Sequence, residues 1–577
     1  MPARVMLALA PWAAPVQAAV ATVSSRMRRR ALLGGLSLTP LAAITAHAQS
    51  VLGVAGVPTT SAPTTSAPTT NAPVTNTPVP LAPNPQAAKL DDTVAPPYNR
   101  MVIMRWGDPL LPDAPPFNPN PLTEDQASSQ FPYDSVVAGL IAPPPAEDGV
   151  PRLIMVLANP TAPANMLFQG GMDAPAVAGK LQGATVLNLQ YQAGRWVTVQ
   201  GGYQSRRLAD GTLCQISGPA AAAIGSTVQG ILAPQGGCTT PWGTALLAEG
   251  DAAPWLSRLA NVGFGYNDPT QAPKFGWVTE FNPLDPQAIP VKRTALGRFA
   301  KSAIAATATP DGRPVIFISQ DADAGYFFRF IAASNATDGT ALDTGTLAVA
   351  QVNGSNIKWL DLPGDSAALI GALNAANIAG GTVFDAPGGI AIAQNGTLYL
   401  ACRGNPNRSS LDANGLNPRA GDDNGYVLAL HAPKGDLTAR NFTGEIAIAA
   451  GNPAITPGAQ YTPGSNAWLT HPRTLNLDSL GQLWIGTDSK GDTSVSADGL
   501  FIMQTGGPSK YLLSMAYLAP VGAALGGAAF DAATHTNFAM VRHPGATPTA
   551  SFSAPATRWP TLLPTMPPQS TIIALVG

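Results

Sequence analysis

Charge is scarce in this chain. Asp, Glu, Lys and Arg make up 11% of its 577 residues, and the net charge is −2. There is no basic field to hold nucleic acid and no strong acidic field. Cysteine is rarer still. Cys214, Cys238 and Cys402 are the whole set, and none stands in a C-x-x-C spacing. That excludes a cysteine-built zinc framework and allows one disulfide at most; an unpaired buried thiol is the plainer reading of each. Four histidines lie beyond the N-terminal segment, His431, His471, His535 and His543, and none pair at the spacing of a metal-binding helix. No G-x-S-x-G nucleophile elbow stands between a strand and a helix. Gly236-Gly237 and Gly380-Gly381 read as turn glycines, not phosphate loops.

Glycine (58) and proline (57) are abundant, and 45% of residues are hydrophobic. This composition suits many short strands joined by turns better than long helices. The N-terminus reads as an address. Arg28-Arg29-Arg30 precede an uncharged run from Ala31 to Ala46, and Ala46-His47-Ala48 offers small residues for cleavage. That order is the pattern of a twin-arginine (Tat) export signal over residues 1–48, with Met27 as an alternative start. The apolar run is too short for a membrane span, so no transmembrane segment is expected in the mature chain. Residues 49–89 carry SAPTT-like repeats and few large apolar side chains; they are expected to form a disordered, extended spacer. The globular part is expected over 90–577, in the periplasm or outside the cell.

Within it, Arg100–Arg105 and the apolar run Arg152–Ala158 read as strands, the second one central. One unit occurs twice. Pro387, Ile390, Ile392, Gly396 and Leu398-Tyr399-Leu400 match Pro472, Leu475, Leu477, Gly481 and Leu483-Trp484-Ile485. Each copy is an alternating strand, a glycine turn and a return strand. Weaker copies read at Pro310–Phe317 and Asp343–Leu347. A recurring hairpin predicts an all-β chain, a β-propeller of about six blades with extra loops and short helices. A β-sandwich is the competing architecture.

The stretch Phe275–Phe330 (FGWVTEFNPLDP…PVKRTALGRFAKSAI…PVIFISQDADAGYFFRF) resembles the PhoX-type secreted alkaline phosphatases. So do Tyr98–Leu110, Thr240–Thr244 (TPWGT), Asn417-Pro418-Arg419, Leu483–Asp488 (LWIGTD), His543-Pro544-Gly545 and Trp559-Pro560. The resemblance spans Tyr98 to Val576. It implies a propeller whose blades bring carboxylates together around calcium and iron to hydrolyse phosphomonoesters. This chain departs from the pattern at those positions. Lys301-Ser302 stand where the family has His-Glu. Of the acids in the family's GDDxRxEY, Asp321 is kept, while Gln320 and Gly325 replace others. The double Glu after TPWG survives as Glu249 followed by Gly250. RPEW becomes Ala386-Pro387-Gly388-Gly389, and the cysteine near TPWG becomes Gln235.

Calcium and ferric iron need hard oxygen donors, and clustered carboxylates need cations to stay ionised. Their joint loss is consistent with a centre that holds no metal. The expectation is an exported phosphatase-like protein with lost or reduced activity, acting as a binding or surface protein. Arg298, Lys301 and Arg473 are candidates for a cationic funnel that holds a small anion without hydrolysing it. Two alternatives stay open. One is an active calcium-dependent phosphatase using Glu249, Asp321 and Asp323 as ligands. The other is a different hydrolase, lactonase-like, on the same scaffold.

Overall fold

The computed structural model describes residues 86–577. The expected export signal and residues 49–85 of the expected spacer lie outside the described residues. Among the described residues no helix is long and apolar enough to cross a membrane.

Strands dominate, and they fall into five sheets. Six strands begin these sheets and pack side by side in a closed ring: Val136–Ile141, Pro234–Thr239, Lys301–Ala308, Pro387–Ile392, Pro472–Leu477 and Ala524–Asp531. Each is the inner strand of a blade that runs outward through antiparallel strands, and blade 2 adds a parallel pair at its outer edge, Val291–Arg293 with Leu213–Ser217. Five sheets make six blades because the third and fourth blades are fused. The extra strand Asn356–Asp361 extends blade 3 and pairs with the outer strand of blade 4, Asn441–Ala449. Blade 6 is closed by the chain's early strand Asn99–Arg105, which pairs with Thr571–Val576 near the C-terminus. This pairing satisfies an edge that would otherwise expose unpaired backbone.

The repeated hairpin occupies equivalent places in blades 4 and 5. Ile390 pairs with Leu400 and Ile392 with Leu398, as Leu475 pairs with Ile485 and Leu477 with Leu483. The weaker copy at Pro310–Phe317 is the same hairpin in blade 3, where Ala308 pairs with Pro314. The copy expected at Asp343–Leu347 is not a hairpin of this kind. A 3-10 turn, Ala341–Asp343, leads there into the fourth strand of blade 3. Its Gly and Thr gave the right composition at the wrong place in the blade.

Apolar residues fill the spaces between blades. The second strand of blade 1, Arg152–Asn159, is buried along nearly its whole length, as its unbroken apolar run requires. Close packing of the inner strands relies on glycine. A Cβ on Gly389 would lie 2.5 Å from the Leu475 nitrogen, and one on Gly526 would lie 2.4 Å from the Ser135 carbonyl oxygen. Neighbouring inner strands therefore touch backbone to backbone, which pinches the central channel. All three cysteines are free thiols.

Candidate functional site at the mouth of the channel

The antiparallel register places the start of every inner strand beside the end of the second strand of its blade. Six equivalent stations thus meet at one mouth of the channel. They carry Asn159, Glu249, Asp321, Arg403, Asp488 and the pair Arg542-His543. Three inner strands enter from this mouth by the same device. Ala233, Ala386 and His471 take left-handed φ values of 50°, 48° and 52°, and each is followed by proline. For a non-glycine residue this conformation costs about 1 kcal/mol, and proline brings no N–H that the first ladder position would have to satisfy. His543, also before a proline, has φ 33°. Strained backbone gathers around this mouth as it does at functional sites.

Glu249 is fully buried and fully engaged. Its Oε1 accepts from the Lys292 ammonium at 2.6 Å and from the Leu232 N–H at 3.3 Å; its Oε2 accepts from the N–H groups of Gly276 (3.0 Å) and Trp277 (3.2 Å). Lys292 is equally buried and lies 4.0 Å from the centre of the Phe275 ring. Lys301 is also without exposure. Its ammonium donates to the carbonyl oxygens of Gly276 (2.6 Å), Gly297 (2.9 Å) and Phe299 (3.0 Å). Burial pulls its pKa well below the usual lysine value. All three of its donors are spent inside the protein. Arg298 donates from Nε to the Phe275 carbonyl and from Nη2 to that of Ala272, both at 3.0 Å. It lines a side pocket of about 250 Å³ beside the mouth, between Asp251, Leu256 and Ile370. Lys301 therefore does not join Arg298 and Arg473 in an open funnel, because its side chain is sealed in.

Asp321 and Arg473 do meet, Oδ1 to Nη2 at 3.3 Å, and Asp323 lies 3.5 Å from Arg403. In both pairs the arginine is mostly covered while the carboxylate is more exposed. A tighter network spans three blades. Arg542 grips Asp134 with two parallel bonds of 2.8 and 2.9 Å and reaches Asp488 at 3.4 Å. Burial alone would raise the Asp134 and Asp488 carboxyls; Arg542 holds both below the ordinary carboxylate range. His471 lies 4.0 Å from Asp423, and its Nδ1 is buried with no partner. Burial, helped by Arg403, lowers the His471 pKa even though Asp423 opposes the shift.

Below these residues the channel narrows to a cavity of about 60 Å³, lined by all six inner strands. Val137, Gly236, Ser302, Gly389, Thr474 and Gly527 face it, one from each blade, and its charged side chains are Arg473 and Arg542. The hydroxyls of Ser302 and Thr474 have no protein partner. Arg403, Arg542, Asp134 and His471 were not singled out as site residues from the sequence. The signal that finds them is position: each stands at the blade station equivalent to Glu249 or Asp321, or next to it.

The comparisons with known proteins agree with this fold. The family model described as alkaline phosphatase PhoX matches residues 80–545. The chain belongs to this family. A solved structure of Pseudomonas fluorescens PhoX in complex with vanadate, a transition state analogue, superposes with a TM-score of 0.76 at 25% identity, covering 85% of this chain and 97% of that one. A gluconolactonase from Xanthomonas campestris is also similar, at 10% identity and a TM-score of 0.33, covering 86% of this chain and 99% of the other. That likeness is too low to bear on function. None of the curated proteins matches the chain.

PhoX resemblance implies calcium and iron, and both require several oxygen donors converging on one point. Among the described residues no group of three or more His, Cys, Asp or Glu side chains is placed to hold a metal ion. Glu249 is spent on Lys292 and Asp488 faces Arg542, while Asp321 lies against the Arg473 cation with no such group of acids beside it. This donor set does not fit a multinuclear metal centre.

Proposed function

We propose that this PhoX-family protein is exported, lacks metal-dependent phosphomonoesterase activity, and binds a small anion at the mouth of its channel. The observation that carries the reading is the exchange of charge at the axis. The cavity where the blades meet is lined by glycine, small apolar and hydroxyl groups, and its charged side chains are two arginines. A site built to hold cations would present carboxylates there. A guanidinium instead suits a tetrahedral oxyanion, and Arg473 is the one that offers it, because the Arg542 fork is taken by Asp134. The Arg473–Asp321 and Arg403–Asp323 pairs are long, and their carboxylates face solvent, so an anion can displace them at small cost. The free hydroxyls of Ser302 and Thr474 supply further donors. The twin-arginine segment and the Pro/Thr spacer support export and display away from the cytoplasm.

The test is hydrolysis of a chromogenic phosphate ester by the purified full chain, with calcium and iron supplied and with a chelator. No chelator-sensitive turnover is expected. Inorganic phosphate is expected to bind, and Arg473→Gln to weaken that binding at least about tenfold, or about 1.4 kcal/mol. Chelator-sensitive turnover overturns the loss of activity; binding unchanged in Arg473→Gln overturns the anion site.

A further inference from the structure

A second cluster of arginines lies at the opposite end of the blades. Strand directions alternate within each blade, so the end of a third strand and the start of a fourth face away from the mouth. At the seam where blades 3 and 4 are fused, those ends surround a groove of about 480 Å³. Arg313, Arg329 and Arg440 line it, with Thr346, Thr438 and Asp361. That volume is in the range of small-molecule sites.

The three arginines differ in a telling way. Arg313 and Arg440 are partly exposed and pair with exposed aspartates, Asp311 at 2.9 Å and Asp361 at 3.3 Å. Arg329 is only 3% exposed, and among the described residues it has no ion-pair partner. Its guanidinium packs 4.7 Å from the centre of the Trp359 ring and 5.8 Å from that of Phe442. One nitrogen, Nη1, donates to the carbonyl oxygens of Leu437 (2.9 Å) and Ala439 (2.6 Å). Its Nε is buried without a partner. Asp361 and Asp436 act on this charge from a distance, and Arg440 opposes them. A buried cation with an unused donor is costly unless something compensates it. Stacking fixes its plane, and two more exposed arginines flank it. Three guanidinium groups facing one groove suit a tetrahedral oxyanion, which planar N–H forks recognise in pairs.

We propose that this seam groove is a second binding site, for a phosphate or sulfate group carried by a small polar molecule. It is separate from the mouth and does not depend on what the mouth binds. The hydroxyls of Thr346 and Thr438 stand where they can meet the polar remainder of such a ligand.

The test is calorimetric titration of the full chain at low salt with inorganic phosphate, inorganic sulfate and glucose 6-phosphate. It is run in the Arg473→Gln background, in which the mouth binds at least about tenfold more weakly. One saturable site is expected to remain. Adding Arg313→Gln at a partly exposed position and Arg440→Gln at an exposed one is expected to weaken it about tenfold or more with little change in melting temperature. Tighter binding of the sugar phosphate than of both free ions supports a carried group as the ligand; equal binding overturns the carrier and leaves a site for the free ion. Absence of a saturable site in the Arg473→Gln background, or binding unchanged by the arginine substitutions, overturns the proposal. Neither result touches the reading of the mouth, which is tested separately through Arg473.

Discussion

Replacing Glu249 decides whether this acid serves the fold or a metal. The carboxylate accepts four hydrogen bonds inside the protein: one from Lys292 and three from backbone N–H groups of Leu232, Gly276 and Trp277. Glu249→Leu strips all four. It leaves a buried ammonium without its counter-charge, which costs about 3–5 kcal/mol. It also orphans three backbone donors, at about 1 kcal/mol or more each. The sum, roughly 6 kcal/mol or more, is comparable with the whole stability of many domains, so Glu249→Leu is expected to be largely unfolded or to melt far below the parent. Lys292→Met removes one partner and leaves the three N–H groups in place, so its loss is expected to be smaller, about 3 kcal/mol. Urea unfolding followed by tryptophan fluorescence measures both. The order is the sharper prediction: Glu249→Leu worse than Lys292→Met, with calcium changing neither midpoint. A Glu249→Leu protein within about 1 kcal/mol of the parent, or a parent midpoint raised by calcium, refutes the reasoning.

Three further outcomes follow from the same structure. Lys301→Met takes the Lys301 donor from the Gly297 and Phe299 carbonyl oxygens and leaves that of Gly276 with the Phe299 N–H alone; it is expected to lower stability by about 2 kcal/mol, read by chemical denaturation. Arg542→Gln strands the buried carboxylates of Asp134 and Asp488. Because Arg542 holds both pKa values low, their stabilisation is present above the ordinary carboxylate pKa and lost as pH falls through and below it, about pH 4; the variant is expected to lose most stability near neutrality and least in acid, seen in melting temperatures across pH. Asp498 behaves in the opposite way. Burial, then the charge of Asp488, pushes its pKa up to about 7, so the folded state holds a proton that the unfolded chain releases near pH 4, and stability falls as pH rises from about 4 to 7. Asp498→Asn is expected to flatten that slope and to melt higher than the parent at pH 8; an unchanged slope counts against it.

Much of the architecture is legible in the residues. The Pro387 and Pro472 hairpins show both the period-2 alternation and the glycine turn, and they are the inner pairs of adjacent blades. The inner strand of blade 2 hides from such a search because Pro234–Thr239 carries Gly237 where the Pro387 and Pro472 strands carry Ile390 and Leu475; a Cβ there would lie 2.5 Å from the Leu246 carbonyl oxygen, so closeness of backbone, not apolar pattern, selected it. Site chemistry was harder to read. A sequence shows that Lys301 is a lysine, but not that its ammonium is capped by three carbonyl oxygens from a distant loop and its own turn. Likewise Arg542 and Asp134 lie 408 residues apart, and only closure of the ring makes them partners. Asp321 and Arg473, 152 residues apart, were both visible as candidates, and the fold brings them together.

The most direct test of the account is elemental analysis of the full chain purified from an exporting host that supplies calcium and iron. The account predicts neither metal in stoichiometric amount, and a melting temperature unmoved by chelation. Calcium or iron at whole-number ratios to the chain, with a melting temperature that falls when they are removed, would contradict it.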